Sequence, residues 1–254
     1  MIRASLDQSE ISEYLSKLTS SKYWRVRVES EVGSTQDELK TELVGSGDGV
    51  VAEFQSAGRG RLDRKFESAP HVALLFSFYV EPQRSDAHGW VPLLAGMSVA
   101  TTLNELTESE IFTNKWPNDV ITESGKVCGV LCEKYGDGII VGIGINVSTL
   151  PEELPVESAS SIFIASGIEI NRNRLLAHIL ENFYRLFMQW ESGAPLKPRY
   201  RALCSTIGHE VSISLPNGTV VNDRAIDIGE NGELFLESGS VVSVGDITHI
   251  RPSS

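Results

Sequence analysis

The segment HVALLFSFYV, residues 71–80, limits what this chain can fold into more than any other stretch. It is a nearly unbroken apolar run, which is typical of a β-strand that is covered on both faces. Further strand-like segments flank it on either side. They are YWRVRVESEV (23–32), GVVAEFQ (49–55), FTNKWPNDVI (112–121), KVCGVLCEKY (126–135) and GIIVGIGINV (138–147). The chain therefore needs layers on both faces of a central strand.

Four segments are predicted to be helical. Residues 7–18 and 174–190 have apolar residues at helical spacing, and residues 92–106 are rich in the Leu, Ala, Met and Val of a buried helix. A further helix starts within residues 33–43, where Thr35 and Glu38 have the spacing of a capping box. With 254 residues, the chain is long enough for one full core plus a small appendage, or for two modest domains.

The character of the sequence changes near Leu203–Ile207, where short β-like runs replace the longer elements. These runs are HEVSISL (209–215), VVNDRAIDI (220–228), GELFLE (232–237) and VVSVGDITHI (241–250), with PNG, ENG and ESG turns between them. The pattern predicts a compact all-β unit built from hairpins in the manner of a small barrel. We divide the chain into residues 1–204 and residues 205–254.

Composition and spacing argue against several classes of protein. A formal net charge of −12 argues against a nucleic-acid-binding surface. Three cysteines make a poor disulfide framework and indicate a reducing compartment. Cys128 and Cys132 lie about 13 Å apart along a strand, too far to bind one zinc ion together. No GxSxG or Walker-type loop is present, and without a signal peptide or membrane span the protein is expected in the cytoplasm.

The segment GRGRLDRKF, residues 58–66, concentrates positive charge in this acidic chain. Its glycines let the backbone approach a ligand, and its arginines can bind phosphate or carboxylate oxygens with forked donors. One interpretation is a loop that closes over an anion such as a nucleotide phosphate. The other is a solvated turn whose charges face water, and an RNA-binding segment has weaker support. The segment by itself leaves the choice open.

Three other motifs combine strands with glycines or polar side chains. In KWPND (115–119), Asp119 can hold Mg²⁺ and Asn118 can contact a phosphate, although a strand-ending turn explains the same residues. GKVCGVL (125–131) and GIGINV (142–147) place glycines inside strands, where they mark either close approach of a ligand or packing. A buried Asn146 is either a structural bridge or a ligand contact.

Together, in this order, five motifs resemble those of the bacterial biotin protein ligases. They are STQ (34–36), FQSAGRGR (54–61), KWPND, GKVCGVL and GIGINV, and the resemblance covers about residues 25–252. It implies a mixed α/β catalytic domain of the class II aminoacyl-tRNA-synthetase type with flanking helices, followed by an SH3-like β-barrel. It also implies two half-reactions, in which biotin and ATP give biotinyl-5′-AMP and pyrophosphate, and a lysine of a biotin carboxyl carrier protein domain then takes the biotin and releases AMP.

The resemblance also implies roles for individual residues. Because two anions must approach each other, the site needs cations and a divalent metal. The residues implied to be catalytic are Lys126, Arg61, Arg64 and Asp119, and Asp119 is also implied to bind Mg²⁺. Those implied to bind biotin are Ser34, Thr35, Gln36, Gln55, Gly58, Arg59, Arg61, Lys126, Gly129, Leu131 and Gly144. Those implied to bind ATP are Arg61, Arg64, Phe66, Asn118, Lys126 and Asn146.

Two departures from the family pattern affect what is expected. The family loop usually continues as GRGRRGRxW, whereas Leu62 and Asp63 replace Arg-Gly here and Phe66 replaces Trp, so weaker retention of the intermediate is expected. About 25 residues precede the motifs, too few for a winged-helix DNA-binding domain. We therefore expect a dedicated ligase, monomeric or homodimeric, with no nucleic-acid or membrane partner.

Two other functions remain open. A lipoate or octanoate ligase shares the catalytic fold, although the RRxSGGG type of segment that is typical of those enzymes is missing from this sequence. A non-catalytic biotin-binding regulator would keep the pocket without the chemistry, and the lysine of GKVCGVL together with KWPND argues against it.

Overall fold

The computed structural model describes residues 3–41, 44–60, 65–84, 88–215, 217–243 and 245–249. The helices are α1 (Gln8–Ser16), α2 (Thr35–Leu39), α3 (Trp90–Thr107), α4 (Ile162–Ser166), α5 (Arg172–Glu191) and α6 (Lys197–Leu203). The strands of the first sheet are β1 (Arg25–Glu29), β2 (Asp48–Ala52), β3 (Ala73–Val80), β4 (Thr113–Lys115), β5 (Asp119–Thr122), β6 (Gly125–Tyr135) and β7 (Gly138–Asn146). Four residues of the basic segment, Arg61, Leu62, Asp63 and Arg64, lie outside the described residues, so their predicted roles stay predictions.

The first seven strands form one mixed sheet in the order β1-β2-β3-β7-β6-β5-β4. β1 and β2 pair in parallel, and the remaining neighbours pair antiparallel. Every residue of β3 is buried, and the strand lies between β2 and β7. The prediction of a central strand covered on both faces is confirmed.

The two faces of this sheet differ because side chains alternate along each strand. Leu74, Phe76 and Phe78 of β3 belong to a large apolar core shared with α1, α3 and α5. On the opposite face, Ser77 of β3 pairs in register with Gly142 of β7. The first face is thus filled by helices, while small and polar residues leave space on the second.

Helices α3 and α5 cover the apolar face. α3 is buried on nearly all sides, as its composition predicts, and α5 packs against it. Aromatic rings join this layer to the sheet: Phe78 packs edge-on against Phe183 of α5 and against Trp24, with ring centroids 4.6 Å and 5.2 Å apart. Both helices are slightly longer than the sequence predicts.

Two local predictions were wrong. Residues 112–121 form two antiparallel strands, β4 and β5, rather than one strand, because proline at position 117 has no N–H to continue a ladder and the chain turns there. The Trp116–Pro117 peptide bond in this turn is cis. At α2, Ser34 rather than Thr35 is the N-cap residue, and the Thr35 hydroxyl bonds to side chains outside the helix.

The C-terminal segment forms a separate antiparallel sheet in the order β11-β10-β9-β8-β12. Its strands are β8 (Glu210–Ser214), β9 (Val220–Ile228), β10 (Leu234–Leu236), β11 (Val241–Val242) and β12 (Asp246–His249). The three predicted turns are present, each with a glycine at positive φ, at Gly218, Gly232 and Gly239. The described pairings run from β11 to β12 without joining them, so closure into a barrel stays a prediction, as does the domain boundary at residue 204.

Among the described residues, no helix combines the length and the apolar character needed to cross a membrane.

Candidate functional site

The polar face of the main sheet, α2 and the segments that flank them enclose a cavity of about 650 Å³. Of the predicted site residues that the structure describes, Gly58 alone is absent from its lining. The others all line it: Ser34, Thr35, Gln36, Gln55, Arg59, Phe66, Asn118, Asp119, Lys126, Gly129, Leu131, Gly144 and Asn146. Residues from all five motifs, far apart in the sequence, therefore meet in one place.

One part of the cavity is a hydrogen-bonded cluster of polar side chains at the start of α2. The backbone N–H and the hydroxyl of Thr35 both reach Oε1 of Gln55, at 2.7 Å and 3.0 Å. The Thr35 hydroxyl also lies 2.7 Å from the hydroxyl of Ser77, which can donate to it. Because Oε1 of Gln55 accepts these bonds, its Nε2 group is the part that can donate to a ligand.

Gly58 does not line the cavity, but it lies next to Gln55 and Phe66, which do. Its carbonyl accepts a hydrogen bond from the N–H of Phe66 at 3.1 Å, which joins the two ends of the basic segment. A Cβ at this position would lie 2.4 Å from the Phe66 carbonyl oxygen and 3.0 Å from Nε2 of Gln55. Glycine is needed here because the backbone and Gln55 pass so close.

The floor of the cavity contains glycines of β7 with larger side chains above them. A Cβ on Gly142 would lie 2.9 Å from Cδ of Gln36, whose Nε2 donates to the Leu131 carbonyl at 2.9 Å. A Cβ on Gly144 would lie 2.7 Å from Cζ of the Phe66 ring. The ring thus lies over the glycine that was predicted to leave room for the apolar chain of biotin, whereas Phe66 itself was predicted to contact ATP.

Lys126 and Asp119 form an ion pair inside the cavity, with Nζ 2.7 Å from Oδ1. The lysine side chain passes over Gly129, where a Cβ would lie 3.2 Å from Nζ. The carboxylate is largely buried, with 16% of the Asp119 side chain exposed, whereas 43% of the Lys126 side chain is exposed. The ammonium group is therefore held in place by a shielded carboxylate and still faces the open cavity.

Backbone pairing holds Lys126 in position. Its N–H donates to the carbonyl of Ser158 at 2.9 Å, and its carbonyl accepts from the N–H of Ser160 at 2.7 Å. Gly125 precedes it at a φ of +132°, and a Cβ there would lie 2.6 Å from the Ser158 carbonyl oxygen. Only glycine fits this approach, which explains the GK pair in the motif.

Asn118 and Asn146 each donate a hydrogen bond to a backbone carbonyl and also line the cavity. Nδ2 of Asn118 donates to the Val130 carbonyl at 2.8 Å, and Nδ2 of buried Asn146 donates to the Ser160 carbonyl at 2.9 Å. Because the nitrogen of each amide bridges to the backbone, the oxygen is the atom suited to bind a cation. The two interpretations of Asn146, structural bridge and ligand contact, are compatible.

Arg59 is bound to acidic side chains at the edge of the cavity. Its guanidinium lies 2.7 Å from Oδ1 of Asp37 and 3.2 Å from Oε2 of Glu133. Lys40 pairs with the same two carboxylates, at 3.4 Å and 2.8 Å. These four ion pairs attach Arg59 to α2 and β6, a role that the sequence did not indicate.

Neither a cluster of several metal-binding side chains nor a reactive thiol is found in the described part of the chain. No group of three or more His, Cys, Asp or Glu side chains suited to a metal occurs in the described part of the chain. Cys128 lines the cavity, but burial raises the pKa of its thiol far above the usual value. The protonated thiol is a poor nucleophile.

Sequence reasoning missed several residues that line the cavity, among them Ser77 and Asp246. Ser77 is the one serine in the run 73–80, and a small polar residue in a buried strand is a signal that could have been followed. Asp246 of β12 also lines the cavity, although it belongs to the C-terminal sheet. No local pattern connects Asp246 with motifs that lie about a hundred residues or more earlier in the chain.

Comparisons with known proteins identify the family of this chain. The sequence pattern of the biotin/lipoate A/B protein ligase family matches residues 26–149. The chain is 33% identical to the biotin–acetyl-CoA-carboxylase ligase of Mycobacterium tuberculosis over 98% of each chain. It is 31% identical to the bifunctional ligase/repressor BirA of Bacillus subtilis over 82% of this chain and 67% of that one. The biotin protein ligase from Aquifex aeolicus, solved in complex with biotin and ATP, superposes with a TM-score of 0.79 at 31% identity, covering 89% of this chain and 99% of that one.

Proposed function

Because the chain belongs to the biotin/lipoate A/B protein ligase family and is a ligase, we propose that it activates biotin with ATP and transfers it to a lysine of a biotin carboxyl carrier protein domain. The observation that carries the proposal is the single cavity in which residues of all five motifs meet. The same cavity offers neutral hydrogen-bonding groups, small residues along its floor and a paired lysine, which match the three parts of biotin.

The order of these groups along the sheet supports this match. Ser77, Gly142 and Leu131 face one another across three adjacent strands, and Gly144 and Gly129 form the next row. Asn146 ends β7 two residues further, about 13 Å from Gly142 at the usual strand rise. An extended acid can therefore place its ureido ring beside Thr35 and Gln55 and its carboxylate near Lys126. In this proposal the Phe66 ring, which lies over Gly144, moves aside for the apolar chain.

In the first half-reaction, a carboxylate oxygen of biotin attacks the α-phosphorus of ATP. The bond from this phosphorus to the oxygen that bridges to the β-phosphate breaks, and pyrophosphate leaves. Lys126 stabilises the negative charge that accumulates between carboxylate and phosphate, because a positioned cation in a shielded site interacts strongly with developing charge. Arg61 and Arg64 add positive charge in this proposal, on the basis of their place in the family motif.

The residues of the cavity fit a magnesium ion. Mg²⁺ prefers oxygen ligands and is commonly held by one or two carboxylates together with substrate phosphates. Asp119 supplies the carboxylate, and Asn118 and Asn146 supply amide oxygens in the same cavity. When bound, the ion would offset the repulsion between the phosphates and the biotin carboxylate.

In the second half-reaction, the ε-amine of the carrier lysine attacks the acyl carbon of the mixed anhydride. The bond from this carbon to the phosphate oxygen breaks, AMP leaves, and the nitrogen loses a proton as the amide forms. Asp119 is the carboxylate proposed to assist this proton transfer, since it lies at the reacting end of the cavity beside Lys126.

Label exchange between pyrophosphate and ATP tests the substrate. We expect exchange that requires biotin and Mg²⁺, because the first half-reaction is reversible. Exchange that requires lipoate or octanoate instead would reassign the chain to the other branch of the family. Tight biotin binding with no exchange would identify a non-catalytic binding protein.

A further inference from the structure

Two buried tryptophans, one in helix α3 and one next to strand β4, donate hydrogen bonds to the same turn of the C-terminal sheet. This turn, residues 229–233, joins β9 to β10. The indole Nε1–H of Trp90 donates to the Glu230 carbonyl at 2.9 Å, and that of Trp116 donates to the Gly232 carbonyl at 2.9 Å. The indoles make equivalent hydrogen bonds, but they start from different places: Trp90 begins α3, whereas Trp116 belongs to KWPND.

Trp116 has a second attachment to the C-terminal segment through its backbone. Its backbone N–H donates to the hydroxyl of Thr206, a fully buried residue, at 3.0 Å. That hydroxyl lies 3.3 Å from Nε2 of His249, so Thr206 can accept from Trp116 and donate to a neutral His249. Next to it, the Asn114 carbonyl accepts from the N–H of Ser205 at 2.9 Å. Residues 114–116 are thus held by Ser205 and Thr206 at the start of the C-terminal segment, and Thr206 in turn contacts His249 of β12.

The residues that follow Trp116 carry the chemistry of the site. Asn118 and Asp119 lie two and three positions further along the same tight turn, and Asp119 holds Lys126 at 2.7 Å. Trp116 and Thr206 do not line the cavity themselves. A shift of the turn would nevertheless move the Asp119 carboxylate and with it the ammonium group of Lys126.

We propose that the C-terminal sheet positions the turn 116–119 for the reaction, and that Trp116 and Thr206 are the positioning residues through which it acts. The inference deepens the proposed function and rests on it for its catalytic readout. Its physical basis is that a buried N–H or carbonyl that loses its hydrogen-bond partner is costly, so the turn moves when the Thr206 hydroxyl or the Trp116 indole N–H is lost. Small displacements of a reacting group lower rates strongly.

Matched tryptophan variants separate positioning from stability. Trp116→Phe and Trp90→Phe each remove one indole N–H that donates to the turn 229–233. We expect similar falls in Tm, but a kcat for biotin-dependent exchange that drops about tenfold or more in Trp116→Phe and changes less than about twofold in Trp90→Phe. The KM for biotin should stay constant in both, because its ureido contacts lie at Thr35 and Gln55. Equal kcat values in the two variants would overturn the inference.

Two variants at position 206 test the second attachment without changing an aromatic ring. Thr206→Val keeps the shape but removes the acceptor for the Trp116 N–H, whereas Thr206→Ser keeps the hydroxyl. We expect serine to retain nearly the wild-type kcat and valine to lose about tenfold. Wild-type kcat in Thr206→Val would contradict a positioning role, even if Trp116→Phe fails to fold.

A readout without substrate distinguishes this inference from the proposed function. Amide hydrogen exchange at positions 116, 118 and 119 should be faster in Trp116→Phe and Thr206→Val than in Trp90→Phe and Thr206→Ser. If this difference appears while the wild-type protein activates no acid, the positioning of the turn stands and the proposed function fails. If exchange is the same in all four variants, the positioning role is wrong whatever the activity.

Discussion

Lys126 is the residue on which the proposed chemistry depends most. It lies at the head of β6, its backbone is fixed on both sides by residues 158–160, and its ammonium group pairs with Asp119 in the cavity. A flexible side chain with one shielded partner can keep its charge in place and still contact a carboxylate and a phosphate. Removing that side chain should therefore affect the chemistry far more than the fold.

We expect Lys126→Ala to lose at least about 10²-fold in biotin-dependent exchange while keeping the wild-type circular dichroism spectrum. Lys134→Ala is the matched control, because Lys134 lies on the same strand, is exposed and does not line the cavity. Near-normal exchange by Lys126→Ala, or an equal loss in both variants, would show that Lys126 does not have the proposed role.

At this scale the sequence predicted which residues meet, but not what each one touches. Motifs identified Arg59 and Phe66 because charge and aromaticity are visible in a sequence. Their partners, Glu133 for Arg59 and Gly144 for the Phe66 ring, depend on the register of β6 and β7 and on the path of the chain after Gly58. Such contacts between distant segments have no local signal.

At the scale of elements, a buried ion pair joins the sheet to α5. Arg172 donates to Oε1 of Glu53 at 2.5 Å, to the Ala73 carbonyl at 2.9 Å and to the Ala4 carbonyl at 2.7 Å. Burial would raise the pKa of Glu53, but the hydrogen bond from Arg172 and the N–H of Leu6 outweigh it and hold the pKa below its usual value. The pair thus fixes the end of β2, the start of β3 and the N-terminal segment on one helix.

Arg172→Met should lower the free energy of unfolding by about 3 kcal/mol or more, because it leaves a buried carboxylate without its partner. Arg174→Met is the control: Arg174 is two positions away on the same helix but exposed, and its loss should cost less than about 0.5 kcal/mol. Urea unfolding followed by tryptophan fluorescence measures both. Equal stabilities of the two variants would mean that the ion pair contributes nothing.

Elements with strong periodicity were predicted well, and those set by a single residue were not. Long apolar or amphipathic runs identified β3, α3 and α5 because burial on one or both sides leaves a repeating pattern. The split of residues 112–121 depends on Pro117, and the helical N-cap moved from Thr35 to Ser34 because the Thr35 hydroxyl bonds to Gln55 and Ser77 instead. The N-cap of α2 thus depends on side chains outside the helix, which capping rules based on the local sequence do not consider.

For the molecule as a whole, the stability depends on pH through His249 of the C-terminal sheet, which lies near Lys115 of the main sheet. Burial, and then the charges of Lys115 and His209, lower the pKa of His249 from 6.5 to about 4. The unfolded chain therefore takes up a proton at this residue at a higher pH than the folded chain does. The stability that this group contributes is complete above about pH 6.5 and is lost as the pH falls towards 4.

His249→Gln should flatten the pH dependence of stability in this window, because glutamine does not titrate and can still accept a hydrogen bond from Thr206. The measurement is Tm at a series of pH values between 7 and 4 in buffers of constant ionic strength. An identical slope for the variant and the wild-type protein would show that His249 does not titrate as its surroundings imply.

The central claim is that this chain attaches biotin to a carrier lysine, and intact mass tests it most directly. The wild-type protein is incubated with biotin, Mg-ATP and a purified biotin carboxyl carrier protein domain, beside a carrier whose acceptor lysine is replaced by arginine. The unaltered carrier should gain the mass of one biotin less one water, the gain should require ATP, and the arginine carrier should gain nothing. No gain on a carrier that an established biotin protein ligase does label would contradict the central claim.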